Sequence, residues 1–175
     1  MAIIDYGANS AGSRNTFAVS GSQQLIFISG GTNANISTSA NAVPVGSWVH
    51  VAFVLDNGTG YLYVNGVQMA TGSLSSVNTP SNMQNVKIGE RVSGASIPFH
   101  GKIDDVRIWD VARTATEIQN NIYDELCGQY PNLKLYLKLN EGIAGGNNTG
   151  LTSTIDDSGN GHTATLNNFS LSGTT

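Results

Sequence analysis

The sequence predicts an all-β chain: an antiparallel two-sheet β-sandwich with one short helix near residues 114–124. Three observations carry that prediction. Only 11% of the 175 residues are charged, while 21 are glycine and Asn, Ser and Thr are abundant. Such a composition suits many turns and excludes a coiled coil. Apolar residues recur with a period of two in the stretches Trp48–Asp56 and Leu133–Leu139, as they do in strands. Reversal signals such as Gly21-Ser22, Asn57-Gly58 and Asn65-Gly66 separate the apolar runs.

In order, Ile3–Gly7 reads as a short strand, and Thr16–Ser20 and Gln24–Ile28 as a hairpin across Gly21-Ser22. Ala34–Thr38 reads as an edge pairing, and Pro44 and Gly46 mark a turn into the next strand. Trp48–Asp56 is apolar on both faces, which predicts a central strand covered on both sides, with Trp48 and His50 as structural residues. Asp56–Gly60 reverses the chain and Tyr61–Val64 returns. Asn65-Gly66 fits a type I′ turn, since both residues tolerate positive φ.

Val67–Ala70 continues the meander, and residues 71–85 read as a polar loop. Lys87–Gly89 and Lys102–Trp109 read as the last strands of this part. Thr114-Ala-Thr-Glu117 has the form of a capping box, and Ile118 and Ile122 supply the apolar stripe of a short helix. Leu133–Leu139 reads as a half-buried strand, leucines on one face and Lys134, Tyr136 and Lys138 on the other. Residues 140–154 read as a loop, Asp156–Gly161 as a compact turn and Thr163–Phe169 as a last strand. The expected division is a main sandwich, 1–126, and a tail, 127–175, packed on the same sandwich.

A net charge of −4 argues against a nucleic-acid binder, which needs a basic face to displace counterions. No apolar run is long enough to span a membrane. Cys127 is the single cysteine, so no internal disulfide forms; it reads as a buried inert thiol or, alternatively, as one bonded to a cysteine of a partner or of a longer chain. No signal peptide precedes Ala2–Tyr6, which leaves the chain readable as a piece of a longer protein. No two carboxylates share a strand face in the Glu-x-Asp-x-Glu manner of a glycosidase. His50, His100 and His162 lack metalloprotease spacing, and no serine sits in a nucleophile elbow. The chain is therefore expected not to be an enzyme. Four Asn-x-Ser/Thr acceptor patterns, at Asn35, Asn57, Asn147 and Asn168, matter only in a eukaryotic source.

The order strand, turn, strand, turn, loop, strand and helix over residues 48–118, with Trp48-Val-His50-Val and Gly101-Lys-Ile-Asp-Asp-Val-Arg-Ile-Trp109, resembles a known family. It is the laminin-G-like and pentraxin-like branch of the concanavalin-type jelly rolls, as found in bacterial surface adhesins. Leu135–Gly142 and Asp156-x-Ser158-Gly159-Asn160-Gly161 resemble the opening strand and loop of the same family. Here they stand at the end of the chain, and no aromatic-rich strand of the Phe-Thr-x-x-x-Trp kind is present. Either a circularly permuted sandwich or the start of a following repeat accounts for that order. The combination of Gly142–Gly146 with residues 166–175 also resembles tails of bacterial surface adhesins.

The resemblance implies a non-catalytic extracellular or cell-surface recognition module whose partner is a glycan or a surface protein. A structural spacer repeat and an accessory module of a polysaccharide-degrading enzyme are the alternatives. It also implies a structural Ca²⁺ at the Asp156–Gly161 loop. Its ligands would be Asp156 and Asn160, closed by Asp104 or Asp105. Such oxygens suit the ion, but the loop reads equally as an Asx-turn with a hydrogen-bonded carboxylate. Sugar sites join a flat aromatic to polar partners, which makes Tyr61, Tyr63, Trp109 and Tyr136 the candidate ligand residues. Loops 29–41, 71–83 and 90–98 would carry the polar partners, and the same aromatics could instead fill the core.

Overall fold

The computed structural model describes residues 1–7, 14–30, 34–74, 86–92 and 95–167. It divides into two compact units, Met1–Gly101 with Ala112–Asp124, and Lys102–Val111 with Glu125–Thr175.

The first unit is an antiparallel β-sandwich. One sheet has the order β4-β3-β2-β1-β8, from β1 (Ala2–Tyr6), β2 (Arg14–Val19), β3 (Leu25–Gly30), β4 (Ala34–Ser37) and β8 (Lys87–Ile88). The other is the meander β5-β6-β7, from β5 (Val51–Asp56), β6 (Thr59–Val64) and β7 (Val67–Ser73). The core joins Phe17, Val19, Leu25, Phe27 and Ile36 from the first sheet to Leu62 and Val64 from the second, with Leu74. Phe27 stacks on Phe53 with ring centroids 3.8 Å apart. Each such large side chain contributes about 1.5–3 kcal/mol by leaving water.

The turns follow their residues. Asn57-Gly58 and Asn65-Gly66 all have positive φ, the type I′ geometry whose twist matches the flanking strands. At Gly66 a side chain would also collide, since a Cβ would lie 2.6 Å from the Gln119 side chain.

Trp48–Asp56 departs from expectation. The strand begins only at Val51, and β5 is an edge strand rather than a central one. Its two apolar faces are still covered. Val51, Phe53 and Leu55 pack on the sandwich core. Ala52 and Val54 meet Tyr61, Tyr63 and Ile118, the last from helix α1 (Ala115–Gln119). Coverage by a helix leaves the same sequence pattern as coverage by flanking strands. Trp48 is 67% exposed, so it is no core residue. The backbone of His50 exchanges hydrogen bonds with Asn65: its N–H donates to Asn65 Oδ1 at 3.0 Å, and its carbonyl accepts from the Asn65 N–H at 2.8 Å.

Helix α1 forms as its capping box predicts. Thr114 Oγ1 accepts the Glu117 N–H at 3.2 Å, and the Glu117 carboxylate accepts the Thr114 N–H at 2.8 Å. Among the described residues no helix is long and apolar enough to cross a membrane.

In the second unit, β9 (Val106–Trp109) pairs antiparallel with β10 (Leu133–Leu137), Arg107 opposite Tyr136. The segment expected to be a strand from Lys102 is thus strand only from Val106. It ladders with the tail strand β10. Asp105, at φ 55°, turns the chain just before it. A hairpin of β11 (Ser153–Ile155) and β12 (Thr163–Thr165) completes the unit. The sequence reading placed β11 inside a loop. Leu126, Leu133 and Tyr136 form the core, with Trp109 and Tyr130 against it. Cys127 is exposed, not buried.

Candidate functional site

Of the four candidate aromatics, the structure brings two together. Val54 stands opposite Tyr61 in the β5–β6 ladder, and Ala52 opposite Tyr63. Tyr61 and Tyr63 therefore project from one face of β6, the face on which α1 packs through Ile118. Where the helix begins, a pocket of about 160 Å³ opens. Val54, Tyr61 and Tyr63 line it from the sheet, Asp56 from the end of β5, and Arg113 and Thr114 from the helix approach.

The polar wall is fixed by its own bonds. Arg113 Nη1 contacts Glu117 Oε1 at 3.0 Å. Glu117 Oε2 accepts both the N–H and the hydroxyl of Thr114, at 2.8 and 2.9 Å. The Thr114 N–H, then its hydroxyl, hold the Glu117 carboxyl below its usual value against the opposing effect of burial, and the Arg113 charge adds the least. Tyr63 is buried, and burial, with Tyr61 next to it, pushes its phenol up. The pocket thus combines two tyrosines, of which Tyr63 is buried against Val54 and Ile118, with an acceptor-only carboxylate, a donor-only guanidinium and phenolic hydroxyls that do both.

Trp109 and Tyr136 belong to the second unit and form no such surface. Trp109 meets Tyr130 edge-on, with ring centroids 5.8 Å apart. Tyr136 is only 1% exposed, against its expected place on a solvent face. Its hydroxyl accepts the Leu126 N–H at 3.2 Å. The Arg107 guanidinium lies 5.2 Å from its ring centroid, a cation–π contact that seals the face the alternation assigned to water.

The residues implied as calcium ligands are engaged with the chain. Asp156 Oδ1 accepts the N–H groups of Tyr136 and Ser158, both at 3.0 Å, and Oδ2 accepts the His162 N–H at 3.1 Å. Burial works to raise the Asp156 carboxyl, and the hydrogen bonds from Ser158, Tyr136 and His162 outweigh it and hold the carboxyl low. Asn160 Nδ2 donates to the Leu133 carbonyl at 2.7 Å. Asp105 takes a two-point bond from Arg107, with Nε at 3.0 Å and Nη2 at 2.6 Å, and Asp104 Oδ1 accepts the Asp105 N–H at 3.0 Å. Among the described residues no three His, Cys, Asp or Glu side chains converge as cation ligands. In this arrangement Asp156 and Asn160 stand in a hydrogen-bonded turn, and Asp105 in an ion pair with Arg107.

Sequence reasoning missed two aromatics. Trp48 and Tyr123 are 67% and 91% exposed. Trp48 stands exposed where the sequence predicts a structural residue, and Tyr123 follows the helix in a polar stretch. Of the expected polar loops, residues 90–92 and 95–97 are organised by Glu90, which accepts the Arg91 and Ile97 N–H groups at 2.7 and 3.0 Å. Residues 31–33, 75–83 and 93–94 of those loops, the acceptor pattern at Asn168 and the tail 168–175 lie outside the described residues.

Residues 1–119 match the model of the Laminin_G_3 family, described as the concanavalin A-like lectin/glucanases superfamily. A protein of Bacteroides ovatus ATCC 8483, described in print as a "putative carbohydrate binding protein", has a similar structure, with TM-score 0.71 and 24% identity. The match covers 95% of this chain and 47% of that one, so this chain spans about half the length of that relative. A second likeness, at TM-score 0.39 and 25% identity, is to residues 221–444 of an S-layer domain-containing protein of Clostridium thermocellum ATCC 27405. It covers 69% of this chain and 61% of the other. No curated protein matches the chain.

Proposed function

We propose, for a chain that belongs to the concanavalin A-like lectin/glucanases superfamily, that it is a non-catalytic glycan-binding module of an extracellular or cell-surface protein. The observation that carries this reading is the meeting of Tyr61, Tyr63, Asp56 and Arg113 in one concave pocket. Aromatic rings pack against the C–H faces of a sugar, while carboxylate and guanidinium bond its hydroxyls. The carbohydrate-binding description of the B. ovatus protein points the same way. Hydrolysis of a glycosidic bond needs two carboxyl groups flanking it. Among the described residues Asp56 is the one acid lining the pocket, and Glu117 beside it is held by Thr114 and Arg113.

A glycan array probed with the wild type and with Tyr61→Ala tests the reading. Binding to a defined set of glycans, weakened about tenfold or more in the variant (~1.4 kcal/mol), is the expected result. No binding across the array would leave a structural spacer, and equal binding by both proteins would move the site away from this pocket.

A further inference from the structure

Resting on the reading of this pocket as a sugar site, we infer that it holds a single neutral sugar unit at the end of a glycan rather than a stretch of chain interior. The first ground is size. The pocket measures about 160 Å³, whereas sites that enclose drug-sized ligands run to roughly 300–1,000 Å³.

The second ground is that the walls are tied in place. The sheet wall is held by the ladder pairs Val54–Tyr61 and Asp56–Thr59. The helix wall is held by the capping box, by the Arg113–Glu117 contact and by Ile118, buried against Val54 and Tyr63. Lengthening the pocket along the helix approach would break the bonds that start the helix.

The third ground is charge. Asp56 and Arg113 line the same small space. Neighbouring hydroxyls of a neutral sugar can donate to the first and accept from the second. An acidic sugar would satisfy Arg113 and be repelled by Asp56.

Isothermal titration with methyl glycosides of glucose, galactose, mannose and fucose tests this. Methyl glucuronide and linear neutral oligosaccharides of two to six units that end in the same sugars complete the set. Wild type, Tyr61→Ala and Asp56→Ala are compared; Asp56 is exposed, so the second variant keeps the fold. We expect a neutral methyl glycoside to bind within about threefold of its longest oligosaccharide. Methyl glucuronide should bind at least tenfold more weakly, and both variants should lose tenfold or more (tenfold is ~1.4 kcal/mol). If affinity climbs about tenfold with each added unit and both variants still lose it, the sugar site stands and the end-unit inference falls. If the glucuronide binds best, the neutral preference falls. If no probe binds, or neither variant weakens binding, the pocket reading and the inference fall together.

Discussion

The carboxylate of Asp156 accepts the backbone N–H of Tyr136 at 3.0 Å. The Asp157 N–H returns a bond to the Tyr136 carbonyl at 2.8 Å. On its other edge Tyr136 pairs with Arg107. The Asp156 turn therefore does for β10 what a neighbouring strand would do, and Asn160, bonded to the Leu133 carbonyl, extends the mimicry.

Replacing Asp156 by Ala orphans three N–H groups at once. Hydrogen bonds to a charged acceptor contribute about 1.5–3 kcal/mol each in favourable cases, so a loss of roughly 2 kcal/mol or more is expected. Because the carboxylate serves the chain's own amides, the fall in Tm should be the same in EDTA and in millimolar Ca²⁺. A wild-type Tm that rises with Ca²⁺, and a rise that Asp156→Ala abolishes, would return the ion to this loop.

Acid should destabilise the fold through a small set of carboxylates. The Arg91 N–H, then the Ser96 hydroxyl, depress Glu90, and the Thr114 N–H and hydroxyl depress Glu117. At Asp156 and Glu141 burial opposes the hydrogen bonds and loses to them. A carboxyl depressed in the folded state binds fewer protons there than in the unfolded chain. Its stabilisation is present above the unfolded values of about 3.9–4.3 and is lost as pH falls through the lower folded value. Chemical unfolding at a series of pH values should show stability falling below about pH 4, with a shallower slope in Glu117→Gln.

Alkali acts on Tyr6. Burial, only partly opposed by a hydrogen bond with Asn15, pushes its phenol up to about 12. An unfolded Tyr ionises near ~10. The folded state therefore holds the proton where the unfolded state has released it, and stability present below about pH 10 is lost as pH rises towards 12. Unfolding curves between pH 9 and 12 should flatten in Tyr6→Phe.

The helix cap and the pocket share Thr114. Thr114→Ala removes the hydroxyl that accepts the Glu117 N–H and donates to its carboxylate. We expect a loss of about 1 kcal/mol in stability. Sugar affinity should fall in the same variant, since Arg113 is held through the same Glu117. Unchanged affinity in a less stable protein would separate the cap from the site.

Local signals carried much of the fold. The type I′ turns and the capping box are each specified by residues a few positions apart and formed where those residues stand, while the period-two runs formed strands over part of their length, Val51–Asp56 and Leu133–Leu137. The candidate site was half legible. Tyr61 and Tyr63 alternate on one strand, so their shared face could be read directly. Arg113 and Thr114 lie some fifty residues away, and only the return of the helix over β6 brings them to the same pocket. Trp109 and Tyr136 carry the same composition signal as Tyr61, yet the second unit's core and the Arg107 cation cover them.

The sequence by itself determined most of the strands, the type I′ turns, the helix start and the family, because these depend on pattern and on short-range backbone preference. Tertiary structure decided the rest: that β5 is an edge strand covered by a helix, that β9 ladders with β10, and that Asp156 serves backbone amides. Apolar periodicity records whether a face is buried. Which element buries it is a long-range choice, fixed only when distant segments compete to exclude water from the same surface.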